Sequence, residues 1–86
     1  MIVEKITNIY QLKRIALESN DNTVDCFISL NGGLRSSKEI RYEEDEEWSI
    51  FHGISDTWSD YSSDKDFIKD ESFLIDAMSK GALYKY

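Results

Sequence analysis

The 86-residue sequence contains no proline, a single cysteine, a single histidine and four glycines. One cysteine closes no internal disulfide, so nothing points to an oxidising compartment. Structural zinc takes four nitrogen or sulfur ligands, and one cysteine with one histidine supply two. No stretch approaches the roughly 20 apolar residues that span a bilayer. The start, MIVEKITN, lacks the basic lead and long apolar stretch of a signal peptide, so a cytoplasmic protein is expected. There are no repeats, low-complexity tracts or linkers, and 86 residues make one domain, 1–86, too small to enclose a large active-site cavity. Basic residues are few: 10 Lys+Arg stand against 17 Asp+Glu, for a net charge of −7. That balance argues against direct binding to a nucleic-acid backbone, which needs Lys and Arg.

What the chain does have is apolar and aromatic content, 41% and 13%, enough to fold despite the charge. The charge is unevenly spread. Residues 1–42 carry six basic and five acidic side chains, whereas residues 43–86 carry four and twelve. The second half also holds eight of the eleven aromatics, so acids and aromatics are interleaved there. A solvated acidic face over an ordinary core accounts for such an excess. Mutual repulsion of these charges costs stability, which favours a use for them.

The hydrophobic period predicts the elements. Residues 2–6 read as an extended lead-in or an early helical turn. Thr7 and Asn8 are both N-cap types, and Ile9, Leu12, Ile15 and Ala16 recur at helical spacing, which predicts a helix over 8–18. Ser-Asn-Asp-Asn at 19–22 ends it. From Thr23 the period becomes two, with Val24, Cys26, Ile28 and Leu30 on one face. Asn31-Gly32-Gly33 is a hairpin signal. Return strands are predicted at 35–42 and 48–54, with Ile40, Tyr42, Trp48, Ile50 and His52 facing inward. Residues 55–62 read as a loop. Ser63-x-x-Asp66 matches a capping box, and Phe67, Leu74, Ile75, Met78 and Ala82 form a helical stripe that Asp70-Glu71-Ser72 divides. Gly81 reads as a helix C-cap, and Leu83, Tyr84 and Tyr86 as a tail packing back. The expected fold is α+β: a helix, a three-stranded antiparallel meander and one or two C-terminal helices in two layers. Phe27 and Phe51 point away from that core and form either a covered or an exposed apolar patch.

Catalytic and metal chemistry find little support. Cys26 lies mid-strand among apolar residues and reads as a small buried hydrophobe. His52 with Asp56 reads as a strand-end hydrogen bond. Asp56, Asp60, Asp64 and Asp66 lack the alternating ligands, glycine and closing Glu of a calcium loop. Residues 32–38 superficially suggest a phosphate loop but lack its spacing and its following helix. Arg35, Lys38 and Arg41 are expected to pair with the acidic half or to form a small basic patch. No catalytic residue, metal ligand or cofactor is therefore assigned, and an enzyme is not expected.

The stretches GGLRSSK (32–38) and KGALY (80–84), around an acidic middle, resemble small proteins of phages and mobile elements of Gram-positive bacteria, a resemblance that carries no activity. In size, acidity and element order the chain also resembles acidic anti-CRISPR proteins that imitate DNA. The second resemblance implies an inhibitor; with the readings above, the expected protein is a cytoplasmic, non-enzymatic inhibitor or modulator whose partner is a basic nucleic-acid-binding protein such as a CRISPR nuclease. The residue chemistry is compatible with it. Strand neighbours two apart lie about 6.8 Å from each other on one face, so carboxylates fall in rows as phosphates do. The candidate contact residues are Glu43, Glu44, Glu46 and Glu47 in the acidic run, and Asp56, Asp60 and Asp64 around Trp58 and Tyr61, the two aromatics read as packing anchors. The alternative is a protein-binding or dimerisation module that uses an aromatic patch without mimicry. The oligomeric state stays open.

Overall fold

The computed structural model describes residues 3–30 and 33–86. Nine elements follow one another: β1 (Glu4–Ile6), α1 (Ile9–Glu18), β2 (Thr23–Leu30), β3 (Gly33–Tyr42), β4 (Trp48–His52), β5 (Thr57–Tyr61), α2 (Asp64–Asp70), α3 (Ser72–Ser79) and β6 (Leu83–Lys85). The fold is α+β, with one antiparallel sheet ordered β1-β6-β2-β3-β4-β5.

The expected meander forms the middle of a six-stranded sheet rather than the whole of it. The segment read as a loop at 55–62 instead contains β5, an edge strand paired residue for residue with β4 from Trp48↔Tyr61 to His52↔Thr57. Serine and aspartate carry little β preference, and the pairing is supplied by β4: Phe51 packs on Trp58 at 5.3 Å between ring centroids. The strand predicted over 48–54 stops at His52, because residues 53–56 turn the chain into β5. The lead-in is β1, and the tail inserts as β6 between β1 and β2, pairing Leu83 with Ile6 and Ile28. The Asn31-Gly32 part of the hairpin signal lies outside the described residues; its flanks pair as Leu30↔Gly33.

Local signals explain the helices. The Asn8 side chain accepts a hydrogen bond from the Gln11 amide at 2.8 Å and starts α1. Ser63 caps α2 in the same way through the Asp66 amide at 3.2 Å. The Asp66 carboxylate takes the Ser62 hydroxyl at 2.6 Å, so only half of the expected capping box is made. Glu71 separates α2 from α3. Gly81, at φ 68°, closes α3 with Gly81 N–H to Met78 O and Ala82 N–H to Ala77 O, a Schellman arrangement.

The inward faces of the strands meet the helices in one core. Val24, Cys26, Ile28, Ile40, Trp48 and Ile50 are buried as expected, and His52 is only half-buried. Leu12, Leu74 and Met78 pack against them, with Ile9 and Ile75 at the border. All three helices put their buried side chains into this core, so among the described residues no helix covers the opposite face of the sheet. There Phe27 stacks on Tyr84 at 5.4 Å and meets Tyr86 at 4.7 Å. No helix of the described residues is long and apolar enough to cross a membrane.

Cys26 is fully buried, and its Sγ faces the Lys38 carbonyl at 3.6 Å. Burial, reinforced by the Asp25 carboxylate, pushes its thiol up from 9.0 to about 12. The folded chain therefore holds the thiol proton more tightly than the unfolded chain does. The stability this provides is complete below pH 9.0 and is lost as pH rises toward 12. Urea titrations should show stability falling above pH 9.0, approaching about 1.4 kcal/mol per pH unit, and Cys26→Ala should remove this component. A thiol reagent should react with the native protein only at the rate of unfolding; immediate reaction at neutral pH would contradict the burial.

Candidate functional site

Five consecutive acids occupy the β3–β4 turn. Glu43 N–H donates to Glu47 O at 2.7 Å and Glu47 N–H to Glu44 O at 3.3 Å. Between them Asp45 and Glu46 both take left-handed backbone, at φ 58° and 64°. Two successive positive φ values are the mark of a type I′ turn, which favours Asn-Gly. The Glu46 amide is held by the Tyr42 hydroxyl at 3.0 Å, which fixes the turn against the domain. An acidic pair in this conformation gives up stability that better turn formers would supply. Asp45→Asn with Glu46→Gly should raise stability by about 1 kcal/mol, read as a higher urea midpoint at unchanged slope. A lower midpoint would mean that the turn is of another type.

Beside the turn, Arg41, Ser49 and Asp60 stand opposite one another across β3, β4 and β5. Arg41 Nε donates to Glu43 Oε1 at 2.5 Å. The Ser49 hydroxyl, fully buried, lies 2.6 Å from Asp60 Oδ1 and 3.1 Å from Glu43 Oε1. A hydroxyl has one proton to give. It goes to Asp60 at the shorter distance, and Arg41 serves Glu43. Above this network opens a cleft of about 630 Å³ lined by Glu43, Glu44, Glu47 and Asp60 with Arg41. Four carboxylates against one guanidinium make it strongly anionic, suited to a cationic group.

An aromatic cluster floors this end. Trp48 stacks on Phe67 at 4.8 Å and meets Tyr42 edge-on at 5.0 Å, while Tyr61 meets Phe67 edge-on at 5.8 Å. Trp48 Nε1 donates to Asp64 Oδ1 at 2.5 Å, which pins the start of α2. Tyr61 donates its hydroxyl to Glu71, a residue only 3% exposed whose second oxygen has no partner among the described residues. Burial and then the hydrogen bond to Glu71 raise the Tyr61 phenol above its ordinary value.

The expected contact residues thus divide. Glu43, Glu44, Glu46, Glu47, Asp60 and Asp64 come together at one end of the sheet, with Glu44, Glu46, Glu47 and Asp60 exposed. Asp56, exposed at φ 55°, sits in the β4–β5 turn at the other end of β4, about 14 Å away along the strand. Trp58 lies on the open face, beneath the Arg41 guanidinium at 4.2 Å. Tyr61 is turned inward and serves the cluster. Of the three cations expected to pair with the acidic half, Arg41 does so, and Lys38 lies over the Phe73 ring at 5.8 Å. Ser49 was not readable as a site residue, because only strand register sets it between Glu43 and Asp60. His52 makes no side-chain hydrogen bond to Asp56; its carbonyl instead receives the Ser55 amide at 3.1 Å. Among the described residues no group of three or more His, Cys, Asp and Glu is placed to hold a metal ion.

No protein-family model matches the chain, and neither does any curated protein or solved structure.

Proposed function

We propose that the protein is a non-enzymatic inhibitor or modulator, acting in the cytoplasm, that binds a basic nucleic-acid-handling protein through its acidic end. Carboxylates there stand in for phosphates and compete for a Lys/Arg-lined channel. The observation that carries this reading is the convergence of four acids, Glu43, Glu44 and Glu47 from the β3–β4 turn and Asp60 from β5, around one anionic cleft, with Glu46 and Asp64 at the same end of the sheet. The turn is tied down by Tyr42 and the cleft by Ser49 and Arg41, so the charges are presented in fixed positions. A preorganised charge array loses less entropy on binding than a flexible acidic tail would.

A CRISPR nuclease is the first target to test. The measurement is the affinity of wild type and of a Glu44→Gln/Glu46→Gln/Glu47→Gln/Asp60→Asn variant for the guide-loaded nuclease, at two salt concentrations and with duplex DNA as competitor. Mimicry predicts competition by DNA, association that slows steeply with salt, and weaker binding by the variant. If this nuclease is not bound, the same measurements apply to the partner recovered from host lysate. Equal affinity of both forms without salt dependence would overturn the reading. The open aromatic face of Phe27, Phe51, Trp58 and Tyr84 supports a second reading, a binding or dimerisation module without mimicry, which predicts salt-insensitive association.

A further inference from the structure

We propose that a groove on the open face of the sheet, between Tyr86 and Phe51, docks an arginine side chain of a basic partner protein. The inference rests on the reading of the partner as basic and adds a contact separate from the acidic turn. Glu39, in the groove, stands four residues before Glu43, about 14 Å along β3.

The groove measures about 420 Å³ and is bordered by Asp25, Ser37, Lys38, Glu39, Phe51, Gly53 and Tyr86. Strand register builds it: Asp25 faces Glu39 directly across β2 and β3, and Glu39 faces Phe51 across β3 and β4. Tyr86 forms the other wall. Its amide donates to the Asp25 carbonyl at 3.0 Å, its hydroxyl shares a 2.6 Å hydrogen bond with Ser37, and Phe27 supports its ring. Gly53 leaves the mouth open, since a Cβ added there would meet nothing within 4 Å.

Like charges directly opposite each other on a sheet repel. Among the described residues neither Asp25 nor Glu39 has an ion pair or a side-chain hydrogen bond. Lys38, adjacent in sequence, points to the other face and its Nζ lies over Phe73. Two carboxylates are thus held side by side between aromatic walls, and Lys38, the one cation in the lining, turns its Nζ away to Phe73. The same face shows what fits there. Arg41 lies over the Trp58 ring at 4.2 Å while its Nε meets the Glu43 carboxylate at 2.5 Å. The groove offers the same combination, ring and carboxylate, and among the described side chains no guanidinium lines it. Arginine suits it better than lysine because its planar group stacks on an aromatic face and reaches two carboxylates at once.

The test is a heteronuclear NMR titration of the protein with blocked tetra-arginine and tetra-lysine peptides. Tetra-arginine should perturb the amides of Ser37, Glu39, Phe51 and Gly53 and bind several-fold more tightly than tetra-lysine. Asp25→Asn/Glu39→Gln should weaken this binding at least tenfold while raising thermal stability, so unfolding cannot account for the loss. Gly53→Leu should keep the fold and obstruct the same amides. Glu44→Gln/Glu46→Gln/Glu47→Gln should leave the groove response in place. Perturbations confined to residues 43–47, insensitivity to Asp25→Asn/Glu39→Gln, or no perturbation at all would overturn the groove. Peptide binding lost only in the turn variant leaves the acidic-end reading standing without it. A groove response together with nuclease affinity indifferent to turn neutralisation does the reverse.

Discussion

Trp48→Ala should destabilise the protein by about 3–5 kcal/mol, the cost of losing a large buried aromatic and leaving a void behind. Trp48 is fully buried, stacked on Phe67 and edge-on to Tyr42, so two other elements, α2 and β3, lean on its ring. The substitution also removes the indole N–H that satisfies Asp64 at the first turn of α2. A small domain has only about 5–15 kcal/mol in total, so much of the population should unfold at moderate temperature. Trp48→Phe retains stacking but not the hydrogen bond and should cost less. Urea denaturation followed by circular dichroism measures both. A cost below about 1 kcal/mol for the alanine variant would put β4 one residue out of phase and exchange the two faces of the sheet.

Tyr61→Phe should cost about 2–3 kcal/mol, more than an average hydrogen bond, because the acceptor is a buried carboxyl. Glu71 is 3% exposed, and its other oxygen already lacks a partner among the described residues. Removing the phenol leaves both oxygens unsatisfied at the junction of α2 and α3. Glu71→Gln keeps an acceptor for Tyr61 and should be far milder. Replacing both partners with apolar groups, Tyr61→Phe with Glu71→Leu, should recover most of the loss, since no polar group is then stranded. A double-mutant cycle in urea reads the coupling directly. Additive costs would mean that the hydrogen bond contributes nothing of its own. Tyr61 also adds to the alkaline loss of stability. Its phenol is raised in the folded state, so the contribution is present below pH 10.0 and declines above it.

These two residues also show where the sequence stops being informative. Trp48 was legible as buried because β2, β3 and β4 each have one buried face, and such strands write that face into alternate positions: Val24 and Cys26, Ile40 and Tyr42, Trp48 and Ile50. Helix α1 was legible from Asn8 and the Ile9, Leu12, Ile15 spacing, and the α2–α3 break from Asp70-Glu71-Ser72. Each is a local signal, carried by residues within a turn or two of one another. Glu71 is legible only as part of that divider, since nothing in the adjoining helices marks its burial or its contact with Tyr61.

The remainder was decided by pairing between distant segments. In β5 the polar and aromatic residues do not sort by face: Trp58 and Asp60 share the open side, while Ser59 and Tyr61 face inward. It is a strand because β4 offers it hydrogen bonds and a ring to pack on. Three-residue β6 is too short to show a period, and it exists because β1 and β2 flank it on both sides. The same applies to the charges. Composition alone determined that this protein carries an excess of acid mingled with aromatics in its second half. Only the register of β3, β4 and β5 collected Glu43, Glu44, Glu47 and Asp60 around one cleft and sent Asp56 to the far end. Only the register of β2 against β3 set Asp25 beside Glu39, fourteen positions apart in the chain. A side chain's periodicity is fixed by its own backbone, whereas its neighbours across a sheet are fixed by hydrogen bonds to strands that the local sequence does not encode.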